Sequence, residues 1–198
     1  MKLETIYKEL KEVVVDSDCF NLQKYESLME KLENAIRLES AYKTTSRTRI
    51  DAIKRVASKD KSRPALQGYG VNGDYKVVTD SYHAILIYQD NMPLELKDNY
   101  PDVSRCTPEQ DGEEIPMVDM DDLMTFIKTH KKYDKHNNPN LEDLYRIGEL
   151  LVQPQFVKNV IDVLGKDDTK IYFYGENRPL KFKNSKNEVG IVLPVIVF

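Results

Sequence analysis

The sequence predicts an α+β fold made of two similar halves, each a helix followed by antiparallel strands, with an extra helical hairpin at the N-terminus. Asn72-Gly73 lies between two alternating apolar runs, which is the strongest short-range hairpin signal in a sequence. A helix followed by strands is indicated twice, near residues 47–88 and 154–197. Apolar residues recur every three or four positions within residues 3–37, the period of helices with one buried face.

The N-terminal pattern predicts two helices, over residues 3–15 and 21–37, separated by a break at Asp16-Ser17-Asp18. We therefore divide the chain into a helical hairpin at 1–41 and a main domain at 42–198. Whether a first strand occupies residues 42–46 is left open by the pattern.

Both halves of the main domain can be followed in the pattern. The first half reads as a helix and three strands, at residues 47–58, 65–71, 75–79 and 84–88. The second half reads as a strand, a helix that begins at Pro154 and ends before Gly165, and three more strands, at residues 144–152, 154–164, 170–174, 180–183 and 190–197.

Residues 90–140 separate the two halves and are predicted to be an insertion. Residues 90–114 contain several prolines and little periodicity, which indicates a long loop. Residues 118–132 have helical periodicity, and the acidic residues Asp119, Asp121 and Asp122 stand at the start of that helix, where the helix dipole favours negative charge. Residues 133–140 read as a polar linker.

The first helix of the main domain is strongly basic. Residues 43–63 contain eight basic and two acidic side chains, within a chain whose net charge is −4. Runs of like charge usually mark only a solvated surface. A surface that attracts phosphates is the alternative.

Two sets of motifs resemble those of bacterial DNA sliding clamps, the processivity rings of replicative polymerases. In the first set, the clamp motif RPxLxG is matched by Arg63, Pro64, Leu66 and Gly68, and the clamp motif ATDxHRL by Thr79, Asp80, Ser81 and His83. His83 is displaced by one position, and the arginine that follows the histidine in clamps is missing. The other set resembles the clamp helix and terminal strands of a second half: residues 155–164, 178–180 and 191–195. The resemblance covers about residues 47–88 and 145–198, and implies a clamp-like domain of two βαβββ-type halves.

The resemblance implies two binding functions. Helices that face duplex DNA would hold its phosphates through cations without reading bases; the matching residues are Arg47, Arg49, Lys54, Arg55, Lys59 and Lys61. A groove would accept short apolar motifs of replication or repair proteins; the matching residues are Thr79, Ser81, Tyr82, His83, Ile85, Leu193, Pro194 and Val195. In clamps this groove lies between neighbouring domains, which implies that one domain would complete it by self-association.

The leading hypothesis is therefore a non-catalytic, DNA-associated accessory protein, of the kind a phage or mobile element carries. The alternative is a protein-interaction module that uses the groove without touching DNA. A third hypothesis is an enzyme with a site at Asp80 and His83, although no GxSxG, GxxxxGK[ST], GxGxxG or HExxH motif occurs.

We predict no cofactor and no metal site. His130 and His136 lie in a lysine-rich segment without a cysteine or acidic ligand at zinc spacing. Cys19 and Cys106 form no CxxC pair, which favours a reducing compartment, and no apolar run approaches the roughly 20 residues of a membrane helix. The start of the chain has no uninterrupted apolar stretch, so we expect no signal peptide and a cytoplasmic location.

Overall fold

The computed structural model describes residues 5–6, 8–10, 12, 22–130 and 141–196. Its main feature is a seven-stranded sheet in which every neighbouring pair of strands is antiparallel, in the order β1-β2-β3-β9-β8-β7-β4. The strands of this sheet are β1 (Gly70–Asn72), β2 (Tyr75–Thr79), β3 (His83–Ile87), β4 (Glu113–Ile115), β7 (Thr169–Phe173), β8 (Leu180–Asn184) and β9 (Val189–Val192). A separate hairpin pairs β5 (Tyr145–Ile147) with β6 (Leu150–Val152).

Within residues 22–130 and 141–196, the α-helices beside the sheet are α1 (Leu22–Thr44), α2 (Arg47–Val56), α3 (Met120–Thr129) and α4 (Pro154–Leu164). Helices α2 and α4 pack against each other and against strands of the sheet, and α3 packs against α4. Helices α2 and α4, one from each half, therefore lie side by side on one sheet-backed surface.

The two halves join where β3 pairs with β9, with Ile85 opposite Gly190. Because side chains alternate along a strand, Ile85 and Ile87 point into the main core beneath the helices, while Ala84 and Leu86 belong to a smaller apolar cluster on the other face. Tyr100 and Val103 of the insertion pack against that smaller cluster. The sheet thus has a helix-covered inner face and an outer face partly covered by the insertion.

Several predicted elements are confirmed. Helix α4 has the predicted bounds, with Pro154 in its first turn and Gly165 at φ +94° beyond its end. The predicted Asn72-Gly73 turn connects β1 to β2, with Gly73 at φ +57°.

Other predictions are wrong. Residues 65–71 do not form one strand, since Pro64–Gln67 is a 3₁₀ helix and only β1 is extended. Residues 144–152 form the β5–β6 hairpin, since Gly148 at φ +57° allows a tight turn. Strand β9 ends at Val192, just before Pro194, which has no amide hydrogen to donate to a ladder.

The N-terminal region differs in part from the prediction. Helix α1 continues to Thr44, so the possible strand at 42–46 is wrong, and Ser46 then caps α2 by accepting a hydrogen bond from the Arg49 amide. The described residues between 5 and 12 are helical. The predicted break at Asp16-Ser17-Asp18 and the linker at 133–140 lie outside the described residues.

The insertion contributes more than the predicted loop and helix. Its β4 extends the sheet beside β7, an element that the sequence pattern did not indicate.

Among the helices of the described residues, none combines the length and the apolar character that crossing a membrane requires.

Candidate nucleic-acid and peptide-binding surfaces

Four of the six predicted DNA-contacting cations lie on the surface of the helix layer or just beyond it. The apolar side of α2 (Ile50, Ala52, Ile53 and Val56) is buried. The side chain of Arg47 is 86% exposed, with Nε 3.7 Å from Asp51. Lys54 is half-buried on α2, and Lys59 and Lys61 are exposed in the loop that follows.

Arg49, predicted to contact DNA, is held inside the protein. Its Nη2 lies 2.6 Å and its Nη1 3.1 Å from the two carboxylate oxygens of Glu188, whose side chain is 2% exposed. Glu188 also accepts hydrogen bonds from the Tyr88 amide and the Asn184 side chain. A guanidinium bound in this two-pronged way cannot reach a phosphate without breaking a buried ion pair. Arg49 is therefore bound within the protein, and this geometry disfavours its predicted phosphate contact.

Arg55 also has intramolecular partners. Its Nε donates to Asn159 Oδ1 at 3.0 Å and its Nη2 to Asp162 Oδ2 at 2.8 Å, both on α4. Lys158 pairs with the same carboxylate. The contacts of Arg55 join α2 to α4 and pair its charge with Asp162, although its side chain is 36% exposed.

The far side of the helix layer is acidic. Asp119 caps α3 by accepting hydrogen bonds from the amides of Asp121 and Asp122, and the latter two side chains are exposed. This is the helix-terminal arrangement that the sequence indicated. Among the described residues no group of three or more possible ligands could hold a metal ion. The acidic start of α3 therefore belongs to a helix that packs on α4.

The segment that resembles a groove motif forms a tight turn between β2 and β3. Oδ1 of Asp80 accepts hydrogen bonds from the Tyr82 amide, the His83 amide and His83 Nδ1, at 2.9, 3.1 and 2.9 Å. Ser81 lies at φ +81°, a conformation that is uncommon for a residue other than glycine. These contacts hold the backbone of the turn and present the Tyr82 side chain, which is 39% exposed.

The structure brings the two parts of the predicted groove together. The Leu193 amide donates to the Tyr82 carbonyl at 3.0 Å, and the Val195 amide donates to the Leu151 carbonyl at 2.8 Å. Ser81 and Tyr82 are exposed, and Leu193, Pro194 and Val195 are half-buried. Thr79, His83 and Ile85 are buried, and Ile85 points into the main core, away from the predicted groove, whereas His83 borders a small cavity there.

A small apolar cavity of about 40 Å³ lies beside Tyr82 and Leu193. Three residues of the insertion contribute to its wall: Val103, Cys106 and Thr107. Sequence reasoning missed them because residues 90–114 have no periodicity and no counterpart in the resembling motifs. The insertion therefore leaves only a small cavity where a clamp-type groove was expected.

The arrangement does not support a nucleophilic site at Asp80 and His83. The His83 ring is buried, its two nitrogens face Asp80 and Asn159, and its face stacks on Phe156 with centroids 4.2 Å apart. Ser81 Oγ is 3.4 Å from Arg63 Nη1, and its backbone amide bonds to Thr79. A serine nucleophile needs a histidine within hydrogen-bond reach, and no contact joins Ser81 Oγ to His83.

The carboxyl of Asp80 should make the protein sensitive to acid. Burial alone would raise its pKa, but hydrogen bonds from the His83 ring and from the Tyr82 and His83 amides outweigh burial and hold the pKa below the ordinary 3.8. A carboxyl group whose pKa is lower in the folded than in the unfolded protein stabilises the fold at any pH above its unfolded-state pKa. This contribution is lost as the pH falls through its folded-state pKa. In urea titrations at falling pH, the stability advantage of the wild type over Asp80→Asn should therefore shrink below about pH 4. An advantage that stays constant down to pH 3 would contradict this assignment.

Comparison with solved structures identifies similar folds. The chain aligns with the DNA polymerase sliding clamp of Bacillus subtilis at a TM-score of 0.51 and 15% identity, over 76% of this chain and 62% of that one. The DNA polymerase beta subunit of Streptococcus pyogenes (16% identity) and the C. crescentus beta sliding clamp (12%) each give a TM-score of 0.51, over 76% of this chain and 63% of theirs.

The chain thus spans less than two thirds of the length of these clamps. No protein-family model matches the sequence, and no curated protein matches it either. At such identities the likeness concerns the fold alone. The chain has the α+β fold of a bacterial DNA sliding clamp, as a single clamp-like domain with an added N-terminal helix.

Proposed function

We propose that this protein is a non-catalytic accessory factor that associates with duplex DNA through the phosphate backbone. Four cations would make the contacts: Arg47, Lys54, Lys59 and Lys61. The observation that carries the proposal is their shared position on the solvent side of α2 and its following loop. Within the described residues none of the three lysines has an ion-pair partner, and Arg47 has only the exposed Asp51.

The physical argument is electrostatic. Cations that neutralise phosphates release condensed counterions, so binding is sequence-independent and weakens steeply as salt rises. Phosphate contacts position a protein on a duplex and carry no direct sequence information. The clamp-like fold supports a role of this kind, since the similar solved structures are sliding clamps of DNA polymerases.

The test is a salt series of duplex affinity, measured by fluorescence anisotropy with two duplexes of unrelated sequence. We expect equal affinities for both duplexes and a linear fall of log K with log salt. In Lys54→Gln/Lys59→Gln/Lys61→Gln the slope should become shallower by about 0.9 for each lysine that contacts a phosphate.

The matched control is Arg105→Gln, which removes an exposed cation from the insertion, away from the helix layer. Its slope should equal that of the wild type. Absence of binding at low salt, or an equal loss in the control and the triple variant, would exclude this surface.

A second candidate function is the binding of a short apolar peptide beside Tyr82. It is favoured by the apolar cavity between Tyr82, Leu193 and the insertion. The cavity is small, so a peptide side chain would enter only if the insertion moved aside. Partners that are replication or repair proteins, and self-association that completes the groove, belong to this candidate.

The peptide candidate predicts a specific loss on mutation. Short fluorescent peptides with two adjacent apolar residues should bind the wild type, and Leu193→Asp should abolish binding because it places a charge in an apolar site. Val71→Asp is the control, since Val71 is 54% exposed on the edge strand β1. Equal binding by wild type and Leu193→Asp would count against a groove at this position, and light scattering would report any self-association.

A further inference from the structure

A continuous path of polar side chains runs from the helix layer to the turn between β2 and β3. Arg55 on α2 donates to Asn159 on α4, Asn159 faces His83, and His83 contacts Asp80. Asp80, His83 and Asn159 are at most 6% exposed. The path therefore connects the surface proposed for DNA with the turn that presents Tyr82.

The orientation of the Asn159 amide follows from its partners. Nε of arginine can only donate, and it lies 3.0 Å from Asn159 Oδ1. Gln155 Nε2 lies 3.1 Å from the same oxygen. The oxygen of Asn159 is therefore directed to Arg55, and its amide nitrogen Nδ2 faces His83 Nε2 at 3.4 Å.

This orientation determines which ring nitrogen of His83 carries the proton. Asn159 Nδ2 is a donor, so His83 Nε2 must be the acceptor, and a neutral imidazole then carries its proton on Nδ1. That proton points to Asp80 Oδ1 at 2.9 Å, the oxygen that also receives the amides of Tyr82 and His83. Each contact along the path thus joins a donor to an acceptor.

We propose that Arg55 is a positioning residue for this turn and not a phosphate contact. Through Asn159 it holds His83 in the neutral form protonated on Nδ1, and through His83 it holds the Asp80 carboxylate that closes the turn.

The orientation of the Asn159 amide and the position of the proton on His83 depend on each other. A proton on Nε2 would face the amide donor of Asn159, and rotating that amide would direct its NH₂ group at Arg55 Nε–H. Buried polar networks are favourable only when fully satisfied. Ser81 at φ +81° needs such support, since the left-handed region is unfavourable for a residue other than glycine. Any role of this turn in peptide binding rests on the groove proposed above, whereas the protonation of His83 is independent of that groove.

The test is ¹H–¹⁵N NMR of the histidine ring nitrogens in the full chain at neutral pH, with His83 assigned by the loss of its signals in His83→Gln. The wild type should show a protonated Nδ1 and an unprotonated Nε2. Arg55→Gln should mix the two neutral forms and shift the backbone amides of Ser81 and Tyr82. Arg47→Gln, which changes an exposed cation on the same helix, should leave both readouts unchanged.

Asn159→Asp provides the opposite change. A carboxylate can accept from Arg55 and from Nε2–H at once, so Nε2 of His83 should become protonated while Arg55 keeps its partner. If Arg55→Gln proves too unstable for spectra, this variant still tests whether the Asn159 side chain determines which nitrogen of His83 is protonated. A wild-type ring protonated on Nε2, a ring unchanged in Arg55→Gln, or a ring unchanged in Asn159→Asp would each overturn the proposal.

The DNA measurement separates this inference from the proposed function. Arg55→Gln should have the salt slope of the wild type, because the charge of Arg55 is already paired with Asp162 and its Nε–H is bound to Asn159. A slope reduced as in the lysine variants would instead assign Arg55 to phosphate and contradict the inference. Failure of the wild type to bind DNA would end the DNA proposal, whereas the NMR result would still decide the role of Arg55.

Discussion

Arg49→Ala should destabilise the protein by about 3–5 kcal/mol, the usual loss when one partner of a buried ion pair is removed. The variant removes the guanidinium from the Glu188 carboxylate, whose side chain is 2% exposed. Among the described residues, the Tyr88 amide and the Asn184 side chain then remain to bind this carboxylate. The pair joins the start of α2 to the turn between β8 and β9, and Arg49 also donates to the Val163 carbonyl near the end of α4. Urea unfolding monitored by circular dichroism measures the loss.

Arg47→Ala is the matched control, because Arg47 lies two residues away with its side chain 86% exposed. It should change stability by no more than about 0.5 kcal/mol. The double variant Arg49→Met/Glu188→Leu should recover much of the lost stability, since it removes both charges together. If Arg49→Ala were as stable as Arg47→Ala, the buried pair would contribute nothing and Arg49 would again be available for DNA.

Gly190→Ala should destabilise the protein by about 1–3 kcal/mol through overpacking. A Cβ at this position would lie 2.2 Å from Val160 Cγ1 and 3.3 Å from Leu164 Cδ1, both on α4. Val160 cannot turn aside easily, because a β-branched residue in a helix has essentially one side-chain rotamer. The helix must therefore move away from β9, where the two halves of the sheet join.

A double-mutant cycle with Val160→Ala tests this explanation. Val160→Ala alone should destabilise by leaving a cavity, since Val160 is fully buried. Combined with Gly190→Ala, the new methyl group fills part of that space, so the double variant should be more stable than the sum of the single losses by about 0.5–3 kcal/mol. Strict additivity would mean that the close contact does not explain the effect of Gly190→Ala.

The elements that the sequence predicted well are those with local causes. Helix α4 has Pro154 at its start, Gly165 after its end and an apolar side between them. The β1–β2 hairpin depends on Asn72-Gly73, which tolerates positive φ. The prediction missed β4, and it treated residues 144–152 as one strand although they form two. Short strands depend on their partners and carry little periodic signal.

For the candidate sites, residue type alone did not decide the role. Arg47, Arg49 and Arg55 are chemically equivalent in the sequence, and all three were predicted to contact phosphates. The structure places the first in solvent, pairs the second with Glu188, more than a hundred positions away, and binds the third to α4. A partner so distant in sequence leaves no local pattern.

The sequence by itself determined the fold class, the two clamp-like halves, the positions of α2 and α4, and the basic character of the region around α2, because propensity, capping and charge act over a few residues. Only the tertiary structure decided which cations stay exposed and which are paired. It also decided that the insertion leaves a small cavity at the expected groove, and that His83 lies inside a polar network. Burial and partner choice depend on the packing of distant segments, and the surroundings of a side chain in turn determine what it can bind.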